Sequence, residues 1–337
     1  MSTNPSISLA HGGGGRQSRE LLEEVLVPTL GLGKDLFDSA ILNWTRSPYQ
    51  RLAMTTDSFV VSPWEFPGGN IGDLAACGTL NDLAVMGAQP LAMSCGLIIE
   101  EGFSLAHLKT ILSALAHQLS RQGLKIATGD TKVVGRGQAD GIYINTTAIG
   151  LVDEYWSPRP DKIEIGDSII FSGPAGQHGA TILKMRTELN LQADIVSDVA
   201  CLWPAVQTLK THGMKIHAMR DATRGGLAAV LNELCGNREI TFEIQESHIP
   251  LDVAVQSLAD LLGLDPWTWA NEGAMVLVCA PSDRDQTLAL LKNQGCERAT
   301  CIGVVKPRGR APVVLKTPFG TEKKLSMPQG EILPRIC

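Results

Sequence analysis

This chain reads as an α/β or α+β protein of two units, on three grounds. Strand-like and helix-like apolar patterns alternate along it without a strict βαβ repeat. Its 337 residues are enough for two hydrophobic cores. A polar, proline-bearing stretch, DEYWSPRPDKIEIG, breaks the alternation after Val152 and is the expected linker, with a second unit beginning at Asp167.

In the first unit, Ser18 to Val27 has helical spacing and Leu52 to Thr56 predicts a strand ending in a polar turn. Ile71 to Met86 puts Ile71, Leu74, Ala75, Gly78 and Asp82 along one face of a helix that stops before Gly87 and Pro90. A strand is expected over Pro90 to Ile99. Ser104 to Gln122 is amphipathic, with Leu105, Leu108, Ile111, Leu112, Leu115 and Leu119 at helical spacing and Gly123 as its stop. Lys125 to Thr131 and Ile142 to Leu151 complete the strands of this unit. The second unit alternates in the same way: strands at Ile169 to Ser172, Lys215 to Arg220, Ile240 to Ile244, Ala274 to Cys279 and Thr300 to Val305, with helices near His178 to Leu189, Val199 to Thr211 and onward from Gly225. Val313 to Leu325 predicts a hairpin around Pro318-Phe319-Gly320.

With 44% hydrophobic and 19% charged residues, the composition is that of a soluble globular protein, and a formal charge of −6 argues against nucleic acid as the main ligand. The N-terminus has no basic segment followed by an apolar one, and no run approaches the ~18 apolar residues of a membrane span. A cytoplasmic protein without a membrane segment is expected. The eight cysteines are scattered, without C-x-x-C or zinc-type spacing, and read as reduced thiols.

Polar segments interrupt this background where strands or helices end, the usual place for sites. In His11-Gly12-Gly13-Gly14-Gly15-Arg16, backbone amides can converge on an anion beside the Arg16 charge, or the glycines can form a flexible leader. Thr55-Thr56-Asp57-Ser58 and Asn81-Asp82 are the next two. In Gly129-Asp130-Thr131-Lys132, Asp130 and Lys132 share one strand face, as a salt bridge or as holders of a metal ion and a reacting oxygen. Arg220-Asp221-Ala222-Thr223-Arg224-Gly225-Gly226 ends a strand and opens a helix, like many phosphate-binding turns, and Asn271-Glu272-Gly273 punctuates the following segment. Singly, each aspartate reads as a cap or a turn residue. Together Asp57, Asp82, Asp130 and Asp221, with two glycine-rich turns, point to a Mg²⁺-dependent nucleotide site between the units. Twelve residues without a core pattern, Ser326 to Cys337, then end in Pro334-Arg335-Ile336-Cys337. Extended, they span roughly 40 Å, so the sulfur can visit a site on its own subunit, a neighbour or another protein; a frayed end is the other reading.

The stretches AHGGGGR, TTDSFVVSPWEFPGGNIGDLAACGTLNDLAVMGAQP, TGDTKVVGRGQADGIYINTTAIG, DATRGGL, NEG and PRIC resemble, in order and over essentially the whole chain, the HypE family of hydrogenase maturation factors, the carbamoyl dehydratases. The glycine-rich pieces are shared with a superfamily that includes aminoimidazole ribonucleotide synthetase and selenophosphate synthetase; GDTKVVGRG and PRIC discriminate. The resemblance implies a two-domain aminoimidazole ribonucleotide synthetase-like fold: residues 1–155 for ATP binding and dimerisation through the sheet, 156–325 as a C-terminal α/β domain, and 326–337 as a mobile tail. It implies a homodimer whose carbamoyltransferase partner HypF loads a carbamoyl group onto the terminal thiol. ATP with Mg²⁺ then drives its dehydration to a thiocyanate, and the cyano group passes to iron held by HypC and HypD for the [NiFe]-hydrogenase centre.

Carried over to this sequence, the resemblance makes Cys337 the acceptor and Lys132 and Glu272 the handlers of protons. Asp57, Asp82 and Asp221 become the metal ligands, and Gly12, Gly13, Gly14, Gly15, Asp57, Asn81, Asp130, Thr131, Arg224 and Gly225 the nucleotide contacts. Two positions depart from the family: Ala274, where many members have Lys, and Gln177, where the motif now reading Gly176-Gln177-His178-Gly179 has Asp. His178 reads as a helix-start or core residue, with a functional role as the alternative. A selenophosphate synthetase would carry a reactive Cys near the N-terminal glycines, and none precedes Cys77. A non-enzymatic carrier would have let the aspartates and Lys132 decay.

Overall fold

The computed structural model describes residues 15–21, 23–24, 40–42, 50–187, 194–330, 333 and 335–337. Its first half holds a five-stranded sheet in the order β1-β2-β7-β5-β6: β1 (Ala40–Leu42), β2 (Gln50–Phe59), β5 (Ala88–Glu100), β6 (Ile126–Val134) and β7 (Ile142–Asp153). Every pairing in it is antiparallel except β5 with β6. The minor hairpin of β3 (Glu65–Phe66) and β4 (Gly69–Asn70) leads into α2 (Ile71–Val85), which follows the short α1 (Arg16–Leu21). α3 (Leu105–Arg121) lies beside α2. Of the helix expected over Ser18 to Val27, only the first part lies within the described residues.

β7 is strictly two-faced: Ile142, Ile144, Thr146, Ala148, Gly150 and Val152 are buried, and the residues between them are not. The buried face carries α2 and α3. On α3 the buried stripe is Ile111, Leu115 and Leu119. Leu105, expected on that stripe, is 74% exposed; six residues ahead of Ile111, it is rotated about 120° away from it.

α2 corrects the one-face reading of its sequence. Thirteen of its fifteen residues are buried, the exceptions being Asp73 and Asp82. One side packs on β2, β7 and β5, and another meets the second half of the molecule. A helix covered all round has no polar face to reveal its orientation. Its start is fixed by a capping box in which Asn70 accepts from the Gly72 amide (2.8 Å) and Asp73 accepts from the Asn70 amide (3.0 Å).

The second half holds a seven-stranded sheet, β14-β13-β10-β12-β8-β11-β9, formed by β8 (Ser168–Phe171), β9 (Ile216–Asp221), β10 (Ile240–Gln245), β11 (Met275–Cys279), β12 (Thr300–Pro307), β13 (Val313–Lys316) and β14 (Glu322–Lys324). β10 with β13 is its one parallel pair among the described residues. The expected hairpin is the β13–β14 pair. Around the sheet lie α4 (Gln177–Arg186), α5 (Trp203–Thr211), α6 (Gly226–Cys235), α7 (Val253–Leu262) and α8 (Arg284–Asn293). α2 touches α5 and β9, so the aspartates of β2, α2 and β9 converge at the junction of the halves.

Candidate active site

Four charged residues, Asp57, Asp221, Arg224 and Glu272, act electrostatically on Cys337, and a fifth, Asp82, acts on Arg224. Asp57 stands near the end of β2, Asp82 in the last turn of α2, and Asp221 closes β9. Arg224 follows in the turn where Gly225, at φ 78°, caps α6; that backbone conformation suits glycine. Glu272 comes from the loop before β11. Burial pushes the Cys337 thiol well above its ordinary range; Glu272, Asp57 and Asp221 push the same way, while Arg224 opposes them. Arg224 is in turn held charged chiefly by Cys337, and also by Asp57, Glu272 and Asp82. The Asp57 carboxyl is raised by burial, against Arg224 and the Ser58 amide that donates to it at 2.8 Å. Asp82 accepts the Thr55 hydroxyl at 2.6 Å.

Glu272 is 3% exposed, and its Oε1 has no hydrogen-bond partner among the described residues. Its carboxyl is raised strongly, first by burial and then by Asp198, Asp221 and Asp57. A buried carboxyl with an unpartnered oxygen is costly, so the loop that carries it must be held firmly. Asp198 does this, accepting from Asn271 Nδ2 (2.8 Å), the Glu272 amide (3.1 Å) and the Gly273 amide (3.1 Å). Gly273 lies so close to this segment that a Cβ on it would come within 1.8 Å of the Asp198 carbonyl oxygen. Asp198 escapes sequence reasoning because its segment has no periodicity. The only prior signal is that a buried Asn-Glu-Gly turn needs an acceptor for its amides.

The tail, expected as a mobile arm, is docked at its end. Ile336 is 5% exposed and belongs to the first core, and Cys337 packs against that core half-buried. His178 is completely buried: Nε2 donates to the Ile336 carbonyl at 2.7 Å, Nδ1 accepts from Ser197 Oγ at 2.8 Å, and Phe66 meets the ring edge-on. Burial lowers its pKa to about 4, so the ring is neutral. The core reading of His178 is half of the answer; the other half is contact with the tail. At the tail's other end Gly15 is buried against Pro328, whose carbonyl accepts from the Arg16 amide at 2.9 Å.

Not every expected residue joins this cluster. Asp130 and Lys132 do share a face of β6, as an ion pair at 3.0 Å with both side chains about 70% exposed. Strand register places that face outward. Gly96 pairs with both Asp130 and Asn145, and Ser58 pairs with Asn145, whereas Asp57 pairs with the buried Thr146 on the inner side. Within one chain, therefore, Lys132 and Asp130 stand across the sheet from Asp57. Thr131 lines a hollow of about 570 Å³ beneath the β6 edge with Cys95, Leu97 and Leu112. Asn81, expected at the nucleotide, is buried and engaged by backbone: Nδ2 donates to Ala200 (3.0 Å) and Oδ1 accepts from Leu202 (2.7 Å), tying α2 to the second half. Gly12, Gly13 and Gly14 lie outside the described residues. Of the two departures, Gln177 donates to Asp252 at 2.7 Å and Ala274 is core.

Among the described residues no three His, Cys, Asp or Glu side chains stand ready as a metal cage. Mg²⁺ does not require one, since it keeps waters and takes one or two carboxylates together with substrate phosphates. Asp57, Asp82 and Asp221 supply hard oxygens, and the carboxylates here outnumber Arg224, so the donor set fits a cation bound with phosphates. No helix among the described residues is long and apolar enough to cross a membrane.

Comparison with known proteins agrees with this architecture. Residues 37–152 match the AIR synthase related protein N-terminal domain, and residues 164–316 match the corresponding C-terminal domain. The carbamoyl dehydratase HypE of Rhodobacter capsulatus is 40% identical over 337 residues, covering 98% of each chain. A crystal structure of the hydrogenase maturation protein HypE in complex with ATP superposes with a TM-score of 0.82 at 40% identity, covering 98% of this chain and 100% of the other. HypE in a HypE–HypF complex gives 0.85 at 36% identity, covering 91% and 99%. The chain is thus a member of the HypE carbamoyl dehydratase family, built on the AIR synthase-related fold.

Proposed function

We propose that this protein is an ATP-dependent carbamoyl dehydratase that acts on the sulfur of its own Cys337 in [NiFe]-hydrogenase maturation. The observation that carries this reading is Glu272, buried with one unpartnered oxygen in the charged cluster that acts on Cys337. An amide oxygen is a poor leaving group. Transfer of the γ-phosphoryl of ATP to the oxygen of an S-carbamoyl group makes it one, with ADP released. The C–O bond then breaks as phosphate departs, both N–H protons are lost, and the C≡N bond forms while the S–C bond stays intact.

Glu272 takes a proton from nitrogen; its raised pKa makes it a stronger acceptor than a solvated carboxylate. Arg224, still charged among the carboxylates, faces the phosphoryl oxygens. Asp57, Asp82 and Asp221 would hold Mg²⁺, which when bound neutralises phosphate charge. Gly15 and Gly225 border the nucleotide, and the part given to Gly12, Gly13 and Gly14 rests on sequence alone.

Lys132, Asp130 and Thr131 take part only if a second copy completes their surroundings. β6 is an edge strand exposed along nearly its whole length, Val133 being 69% exposed, with the hollow open beneath it. Such an edge is half of a larger sheet, which supports a homodimer joined there. A HypF-type carbamoyltransferase loads Cys337, and a HypC–HypD complex receives the cyano group; the HypE relative solved with HypF supports the first of these partners.

The test is the intact mass of the protein after carbamoylation by its transferase, before and after adding Mg-ATP, with Cys337→Ala alongside. Loss of one water from the wild-type adduct alone is expected. An adduct that persists under active conditions would make the chain a carrier and not an enzyme.

A further inference from the structure

The last three residues are gripped through their backbone, one after another, by three donors, two of them on α4 and one just after β2. The Arg335 carbonyl accepts from Arg186 Nη2, the Ile336 carbonyl accepts from His178 Nε2 at 2.7 Å, and the Cys337 backbone oxygen accepts from the Val60 amide at 2.8 Å. Arg186 is braced by Ser62, whose carbonyl accepts from its Nε at 2.6 Å, and His178 by Ser197. The Arg335 side chain adds a bond to the Val60 carbonyl (2.9 Å) and an ion pair with Asp140. Only the sulfur is left out. Among the described residues it makes no hydrogen bond, although it lies within the field of Glu272, Arg224, Asp57 and Asp221.

We propose that His178 and Arg186, at the two ends of α4, are positioning residues of a backbone latch. This latch seats the tail identically whether the sulfur is free, carbamoylated or cyanated, and its strength divides the protein between a released form open to loading and a docked form that dehydrates. Sequence-independent contacts suit this task, because a grip on the sulfur would have to change with each group it carries. The half-buried position of docked Cys337 leaves little room for a transferase, so loading requires the grip to open. The latch rests on the dehydratase reading for its purpose but not for its geometry.

The experiment measures docking and chemistry separately. Alkylation of Cys337 by iodoacetamide is followed on the C-terminal peptide by mass spectrometry in wild type, Arg186→Ala, His178→Phe and His178→Gln. Single-turnover dehydration of the carbamoylated proteins is timed in parallel. Loss of one such hydrogen bond should raise the Cys337 alkylation rate about tenfold and slow dehydration by a similar factor, without slowing carbamoylation. His178→Gln, whose amide nitrogen reaches where Nε2 stood, should recover part of both effects. Arg186 is an exposed side chain, so its variant folds even if His178→Phe does not. Wild-type alkylation in Arg186→Ala and His178→Phe overturns the latch. So does faster alkylation with unchanged dehydration. If the wild-type adduct itself never loses water, the dehydratase reading fails, and the alkylation rates still decide the latch.

Discussion

Two clusters that set acids beside bases, one at the junction of the halves and one on β6, differ in one physical respect, their water. At the junction of the halves, Glu272, Asp57, Asp221 and Arg224 act electrostatically on Cys337, and burial is the first cause of the shifts in Glu272, Asp57 and Cys337. On β6, Asp130 and Lys132 form a closer pair on paper, yet both stay in solvent; Asp130 is lowered by its bonds to Lys132 and the Thr131 amide. An exposed pair of this kind contributes little to stability. Chemistry that needs a displaced pKa belongs at the junction. β6 becomes chemical only by acquiring a cover.

That contrast is sharpest at Glu272. Glu272→Gln keeps the volume and removes the proton acceptor, so dehydration should fall by roughly 10²–10⁴-fold, with the carbamoyl adduct accumulating at undiminished mass. Dehydration at near wild-type rate would take the junction out of the chemistry. Lys132→Ala comes next, slowing dehydration by about 10–100-fold while sparing carbamoylation. Its effect should depend on assembly: Val133→Asp, which puts a charge on the exposed edge, should convert dimer to monomer in sedimentation and slow dehydration as Lys132→Ala does. If Val133→Asp is monomeric and fully active, β6 has no part in catalysis.

The same contrast explains what sequence could and could not reveal. β7 and α3 were legible because each has one wet face, so period-2 and period-3.6 patterns are printed in the residues. α2 was legible as a helix but not in its orientation, since both sides are buried. Asp57, Asp82, Asp221 and Glu272 were legible as polar interruptions of apolar runs. That the aspartates share a site between the units is expected from their number, but how they are brought together is not legible, because it depends on α2 lying against both halves. Asp130 and Lys132 were correctly placed on one face, but which face that is depends on the register of three strands, which no local pattern encodes. α7 and α8 went unread between strands that were read. Asp198 and the tail contacts of His178 are side-chain to backbone bonds across long sequence separations, where sequence leaves no trace.

Asp198 offers a smaller perturbation confined to the junction. Asp198→Ala strips three donors of their acceptor beneath Glu272, and should cost about 2–4 kcal/mol of stability. Thermal unfolding checks the cost. Dehydration should fall with it, because Glu272 is no longer held, while the oligomeric state, proposed to depend on β6, stays unchanged. A variant with wild-type melting and activity would mean that the Asn-Glu-Gly loop holds its own shape.

The smallest effect is a pH dependence of tail docking, and its sign follows from His178. Docked, the ring is buried and lowered to about 4, with the Arg186 charge acting in the same direction as burial. Released, it returns toward its ordinary 6.5. Because the docked form resists the proton, the His178 contribution to docking is fully present above about pH 6.5 and declines by up to tenfold per pH unit as pH falls toward 4. Glu272, raised when docked, pulls the opposite way. The ratio of Cys337 alkylation rates in His178→Gln and wild type cancels both that opposing contribution and the ionisation of the thiol, since the two proteins share them. Between pH 7.5 and 5.5 the ratio should drop severalfold, as wild type loses a latch the glutamine variant cannot lose by protonation. A ratio independent of pH would mean that His178 stays shielded from protons even when the tail has left.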